Sequence, residues 1–269
     1  MFDEKLAKKA GENLRRMRDK KPLVHNITNY VVMNNTANAL LACGASPVMA
    51  HAQGEVEEMV SLAGSLVLNI GTLTPYWIDS MLMAGRRANE VNVPIILDPV
   101  GSGATNLRTE AAKRLIDNLS IHVVRGNASE VLSLAHEGSR TKGVDAIHSV
   151  DEAADAAIVL ARELDTTLAI TGEVDLITDG GRVYMVYNGH ELMGYVTGTG
   201  CTATALIGAF LAAEHDSVQA ATAALAYFGL AGEKGAEHAK APGSFQVALL
   251  DALFNIDEEA LQKGAKIRT

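Results

Sequence analysis

Short apolar runs of strand length alternate with amphipathic stretches of helix length along the first two thirds of this chain, and after Gly200 only helical patterning remains. A parallel sheet needs that alternation, because each crossover must carry the chain back across the sheet, and a helix does so while burying one of its faces. The runs at 22–26, 46–50, 66–70, 94–98, 121–125, 167–171, 175–178 and 182–187 read as strands. The last two, joined through Asp179-Gly180-Gly181, read as an antiparallel hairpin at one edge. Helices are expected over 4–18, 30–41, 55–63, 75–92, 109–118, 128–135 and 150–163, and in the tail over 201–214, 217–238 and 244–256. The expected fold class is therefore α/β, a mainly parallel central sheet flanked by helices on both faces. No linker, low-complexity stretch or internal repeat divides the 269 residues, so one domain spanning 1–269 is expected.

Composition narrows the function classes. Aromatics are scarce at 4%, while the abundant small residues suit helices packed closely on a sheet. A net charge of −9 argues against a nucleic-acid partner, which demands clustered Lys and Arg. An anionic substrate would then need local help from backbone amides, an arginine or a metal. The two cysteines, Cys43 and Cys201, supply neither a disulfide framework nor zinc-type spacing. The chain opens on a charged amphipathic stretch, and no apolar run reaches the roughly 18 residues that span a bilayer, so a cytoplasmic protein is expected.

The chemistry concentrates in a few strings. Residues 194–204 read Gly-Tyr-Val-Thr-Gly-Thr-Gly-Cys-Thr-Ala-Thr, a glycine turn opening onto a helix with Cys201 in its first turn. Unpaired N–H groups at a helix start form an anion site, and a thiol placed there is expected to ionise below its free value near 8.5. Phosphoryl or acyl transfer would use both features. The same string fits a dinucleotide fingerprint, but that belongs in an early strand–helix–strand unit, and here only helices follow. A turn that merely allows close helix–sheet packing is the plainer alternative. In Leu97-Asp98-Pro99-Val100-Gly101 an apolar strand ends in a carboxylate, and the proline holds the chain extended beyond it. Asp98 thus falls at the carboxyl edge of the sheet, either in a site or bonded to its own loop, which runs on irregularly through 101–109. In Arg125-Gly126-Asn127-Ala128-Ser129-Glu130 a second strand ends at that edge. There Glu130 could complete a capping box with Asn127, or join Asp98 in holding Mg²⁺. Residues 26–38 include five asparagines, which must cap turns or line a polar pocket or subunit contact. His25 and His51 read more readily as structural than as ligands.

Taken together these strings resemble the hydroxyethylthiazole kinases, a thiamine-salvage family within the ribokinase-like superfamily. The resemblance runs in family order from about residue 20 to 250 through Val24-His25-Asn26-Ile27-Thr28-Asn29, Asn34-Asn35-Thr36-Ala37-Asn38, Gly44-Ala45-Ser46-Pro47-Val48-Met49 and Leu68-Asn69-Ile70-Gly71-Thr72. It continues through the Asp98 and Arg125 strings and Thr171-Gly172 to Thr197-Gly198-Thr199-Gly200-Cys201. The first string is particular to the family; the Asp-Pro, Asn-x-x-Glu and Gly-Thr-Gly pieces are shared across the superfamily. The resemblance implies a ribokinase-like fold and ATP-dependent phosphorylation of 4-methyl-5-(2-hydroxyethyl)thiazole, in a homotrimer whose thiazole pockets lie between subunits. It implies that Met49 and Gly198 contact the thiazole, with Asn26, Thr28 and Gly71 as further pocket residues. Arg125 and Thr171 would bind ATP, Asp98 and Glu130 would organise Mg²⁺, and Cys201 would stand at the catalytic position. Three competing readings share part of the pattern: a phosphomethylpyrimidine kinase, an NAD(P)H-hydrate dehydratase and a non-catalytic binding protein.

Overall fold

The computed structural model describes residues 1–135 and 150–269. Among these residues nine strands form one sheet: β1 (Leu23–Ile27), β2 (Ser46–Val48), β3 (Ser65–Asn69), β4 (Ile95–Asp98), β5 (Val123–Gly126), β6 (Thr167–Ile170), β7 (Asp175–Thr178), β8 (Val183–Val186) and β9 (Ile267–Arg268). Their order is β2-β1-β3-β4-β5-β6-β7-β8-β9. Pairing is parallel from β2 across to β6 and antiparallel from β6 to β9.

Both faces are covered. On one lie α1 (Glu4–Lys20), α2 (Met33–Cys43), α8 (Thr199–Leu211), α9 (Ser217–His238), α10 (Pro242–Asn255) and α11 (Glu258–Gly264). On the other lie α3 (Val56–Leu62), α4 (Pro75–Glu90), α5 (Asn106–Asn118), α6 (Ala128–Leu132) and α7 (Val150–Leu164). The strand period of two sorts the core between these layers. Val67 and Ile96 pack toward α8, whereas Leu66, Leu68, Ile95 and Leu97 pack toward α4. By the same alternation Asn69 and Asp98, the last residues of their strands, belong to the α8 side. Strands buried on both faces explain why these runs are apolar throughout rather than alternating.

The structure departs from the sequence reading in places with physical causes. A strand does follow Gly200: β9 pairs antiparallel with β8, so the β7–β8 hairpin is not the edge of the sheet. Two residues give no periodic signal; β9 is held instead by Tyr187 N–H to Lys266 O (2.9 Å) and Asp3 N–H to Ile267 O (2.8 Å). α2 begins at Met33 rather than at residue 30, because Asn29 accepts the Val31 N–H on its side chain (3.1 Å) and holds a turn before the helix. A 3-10 turn at Glu191–Tyr195 precedes the glycine turn, and α8 starts at Thr199, two residues earlier than expected. No helix among the described residues is long and apolar enough to cross a membrane.

Candidate active site

Strands β1, β3, β4, β5 and β6 run parallel, so their carboxyl ends share one edge of the sheet, the place where open α/β folds collect functional groups. α8 starts at that same edge. Its N-cap, Gly198, has φ 85°, and a Cβ there would stand 2.7 Å from Val32 Cγ1, so glycine is required twice over. No side chain caps the helix, and its first intrahelical bond runs from Thr202 N–H to Gly198 O (2.8 Å). The amides of Thr199, Gly200 and Cys201 are therefore available to an anion.

Two clefts meet at this helix start. One, of about 780 Å³, is lined by Thr171, Gly172, Asp175, Met193 and Phe228 among others. The second, of about 410 Å³, is lined by Asn29, Gly71, Asp98, Glu130, Gly198 and Cys201, with Arg108 on its wall. Arg125, Asn127 and Gly200 line both. A reacting atom shared between a ligand in one cleft and a ligand in the other would lie against α8's first turn.

Asp98 is fully buried. Its Oδ2 accepts from Asn69 Nδ2 and Thr204 Oγ1, each at 2.8 Å, with Arg125 Nη1 at 3.7 Å. Its Oδ1 has no partner. Burial is the main reason its carboxyl is pushed up to about 6; Arg125, Thr204 and Asn69 oppose the rise, and Glu130 adds to it. Glu130 does complete the capping box with Asn127, its Oε2 accepting the Asn127 N–H at 2.9 Å. Its Oε1 also accepts the Gly101 N–H (2.8 Å), which ties α6 to the loop after β4 and keeps the carboxylate in the cleft. Among the described residues no group of three or more His, Cys, Asp and Glu gathers to hold a metal. Two carboxylates suit Mg²⁺ all the same, since that ion keeps several waters and takes its remaining ligands from phosphates. The unpartnered Oδ1 of Asp98 fits that demand.

The Arg125 guanidinium lies against the helix start, with Nη1 2.6 Å from where a Cβ on Gly200 would sit. Its Nη2 donates to Thr171 Oγ1, so the two residues expected to bind nucleotide touch each other. Cys201 is half-buried, and its sulfur accepts from Asn29 Nδ2 at 3.5 Å. Its thiol moves opposite to the sequence expectation. Burial first, and the Asp98 charge second, push it up to about 11, against smaller opposing effects from Asn69, Asn29 and Arg125.

Cys201, Gly198, Gly71, Arg125, Thr171, Asp98 and Glu130 thus gather around the two clefts. Met49, Asn26 and Thr28 line neither of them. Asn26 lies buried in β1, bonding Val24 O at 2.9 Å, and Thr28 is buried just after it. His25 is a core residue, bonded to Ala50 O at 2.7 Å and shifted down by burial. Sequence reasoning missed Asn69, Thr204 and Asp175, and reached Asn29 only as one member of the asparagine run. Asp175 accepts the Gly172 N–H at 3.0 Å, and its carboxyl is pushed up to about 6 by burial. A polar residue closing an apolar strand was the available signal for Asn69, as it was for Asp98.

The architecture is that of the ribokinase-like fold. A ribokinase-like superfamily protein from Enterococcus faecalis superposes with a TM-score of 0.63 at 14% identity, over 90% of this chain and 89% of its own. A pyridoxal kinase from Staphylococcus aureus, solved with AMP-PCP and pyridoxal, gives 0.63 at 16% identity, over 91% and 97%. A nearer likeness is the solved hydroxyethylthiazole kinase of Pyrococcus horikoshii, with a TM-score of 0.89 at 50% identity, over 96% and 98%. The hydroxyethylthiazole kinase of Desulfotalea psychrophila is 64% identical over 259 residues, 96% of this chain and 95% of its own. The model of the hydroxyethylthiazole kinase family matches residues 14–259. The chain belongs to the hydroxyethylthiazole kinase family.

Proposed function

We propose that this chain, as one kinase domain over residues 1–269, transfers the γ-phosphoryl group of ATP to the hydroxyethyl oxygen of 4-methyl-5-(2-hydroxyethyl)thiazole, a thiamine-pathway alcohol. The observation that carries the reading is the meeting of two clefts at an uncapped helix start. ATP would occupy the larger cleft and the alcohol the smaller. In-line transfer passes through a loose transition state, so positioning and charge stabilisation do most of the work. The amides of Thr199, Gly200 and Cys201 would take the transferring phosphoryl oxygens, with no reorganisation needed at the moment of reaction. Arg125 offers a planar fork to a neighbouring oxygen pair, and Thr171 fixes that fork from the side. Asp98 and Glu130 would hold Mg²⁺, directly or through water, and the bound ion would neutralise phosphate charge. Cys201, protonated at neutral pH, would position the substrate hydroxyl rather than strip its proton.

Met49, part-exposed just after β2, would contact the thiazole from a neighbouring copy in a homotrimer, whereas Asn26 and Thr28, buried in their own chain, would support the pocket wall from behind. Two free cysteines and the lack of a membrane-spanning helix among the described residues support a cytoplasmic location. The test is ADP release on mixing with Mg-ATP and hydroxyethylthiazole, with hydroxymethylpyrimidine as the control. Turnover with the thiazole alone is expected; turnover with the pyrimidine alone, or with neither, overturns the reading.

A further inference from the structure

A continuous run of side-chain hydrogen bonds joins two groups that the proposed reaction uses separately. Asn69 Nδ2 donates to Asp98 Oδ2 at 2.8 Å, and Asn29 Nδ2 donates to Asn69 Oδ1 at 2.8 Å and to Cys201 Sγ at 3.5 Å. Asn29 and Asn69 are both buried, and the register of β3 on β4 sets Asn69 directly beside Asp98.

Backbone groups fix which way each amide points. The Gly71 N–H (3.0 Å) requires an acceptor and so claims the Asn69 oxygen, which turns the Asn69 NH₂ onto the Asp98 carboxylate. The Val31 N–H (3.1 Å) claims the Asn29 oxygen in the same way, and that leaves the Asn29 NH₂ for Asn69 and the sulfur. Gly71 secures the arrangement, since a Cβ there would meet Asn29 Nδ2 at 2.6 Å. After these bonds are made, Asp98 Oδ1 is left without a partner, and the Cys201 sulfur, which lines the smaller cleft, is held by Asn29 with Asn69 also acting on it.

We propose that Asn69 and Asn29 are positioning residues for phosphoryl transfer, Asn69 holding Asp98 by one oxygen so that the other stays free, and Asn29 holding Cys201 by its sulfur so that its S–H serves the substrate hydroxyl. The proposal rests on the reading of Asp98 and Cys201 as parts of the transfer site.

A double-mutant cycle tests the Cys201 end. Asn29→Ala should lower kcat about tenfold with the KM for ATP within about twofold, and in a Cys201→Ala background it should cost less than about twofold more. Equal losses in both backgrounds overturn the proposal, whereas wild-type kcat in Cys201→Ala alone overturns the underlying role of Cys201 and the Asn29 link with it. Calorimetry of ADP binding with and without Mg²⁺ tests the Asp98 end independently of turnover. Asn69→Ala should cut the Mg²⁺-dependent gain in affinity at least about fivefold and leave Mg²⁺-free binding within about twofold. Loss of both kinds of binding together marks Asn69 as merely structural. Should Asn69→Ala not fold, Asn69→Ser, whose shorter side chain falls short of Asp98 Oδ2, takes its place with the same expected split.

Discussion

At the scale of single residues, burial raises both central groups of the site, yet it leaves Asp98 ionised at neutral pH at a cost to folding and Cys201 neutral at none. Asp98 sits with no exposure, and its carboxyl is raised from 3.8 to about 6, so its ionised form opposes folding of the ligand-free protein. A raised acid leaves stability intact below about 4. The stability falls as pH rises from 3.8 to 6, and at neutral pH the accumulated cost is ~3 kcal/mol. Asp98→Asn keeps an oxygen for Asn69 and Thr204 while removing the charge. It should therefore stabilise the ligand-free protein at pH 8 by an amount on the order of 1–3 kcal/mol, with a smaller gain at pH 5, while abolishing Mg²⁺-dependent turnover. Urea unfolding at the two pH values checks this; equal gains at both would refute the burial argument. Cys201 carries the second expectation. With its thiol pushed up to about 11, the sulfur is a neutral donor at pH 7, and a hydroxyl can replace a donor. Cys201→Ser should stay within about tenfold of wild-type kcat, whereas Cys201→Ala should fall further yet remain measurable, about 10²-fold down. A wild-type pH–rate profile with a limb near 7 that vanishes in Cys201→Ala would restore the thiolate as base.

At the scale of elements, the placement of everything depends on α8, whose residues from Thr202 to Leu211 are all buried. Its entry through Gly198 is the position where a side chain does most harm. Gly198→Ala puts a Cβ in the left-handed region and against Val32, which should destabilise the fold by ~2 kcal/mol and cost activity by moving the amides of the next three residues. Denaturant midpoints together with kcat test that; a loss of stability with full kcat would separate the turn from the anion site. The sheet itself was legible in the sequence, because strands buried on both faces leave unbroken apolar runs and their helices leave amphipathic ones. β9 was not, since its two residues are held by contacts from Asp3 and Tyr187 that no local pattern announces. The same division runs through the site. Asp98, Arg125 and Cys201 stand in strings whose chemistry is local: a strand end, a basic residue at such an end, a helix start. Asn69 gains its meaning only when β3 lies in register on β4, and Thr204 only when α8 crosses beneath Asp98.

At the scale of the whole molecule, the two clefts differ in how much of a ligand one chain can enclose. The larger, about 780 Å³, is walled by the β6–β7 turn, the 189–194 segment and α9, so a nucleotide bound there would need no neighbour. The net charge of −9 works against an anionic nucleotide at long range, so under the proposed function the weight of recognition would fall on Arg125 and the α8 amides. The smaller cleft, about 410 Å³, opens beside Val31, which is 65% exposed. A small aromatic alcohol gains affinity chiefly by having its ring enclosed, and here the apolar rim has no cover within the chain. A second copy supplying the part-exposed Met49 would provide it. Three chains of 28.4 kDa should sediment as one species of about 85 kDa. On dilution through the dissociation range, thiazole affinity should fall while ADP affinity holds, because only the first depends on a neighbour. A 28 kDa species that binds the thiazole at full strength would show that one chain completes the pocket by itself, and Met49 would then have no part in it.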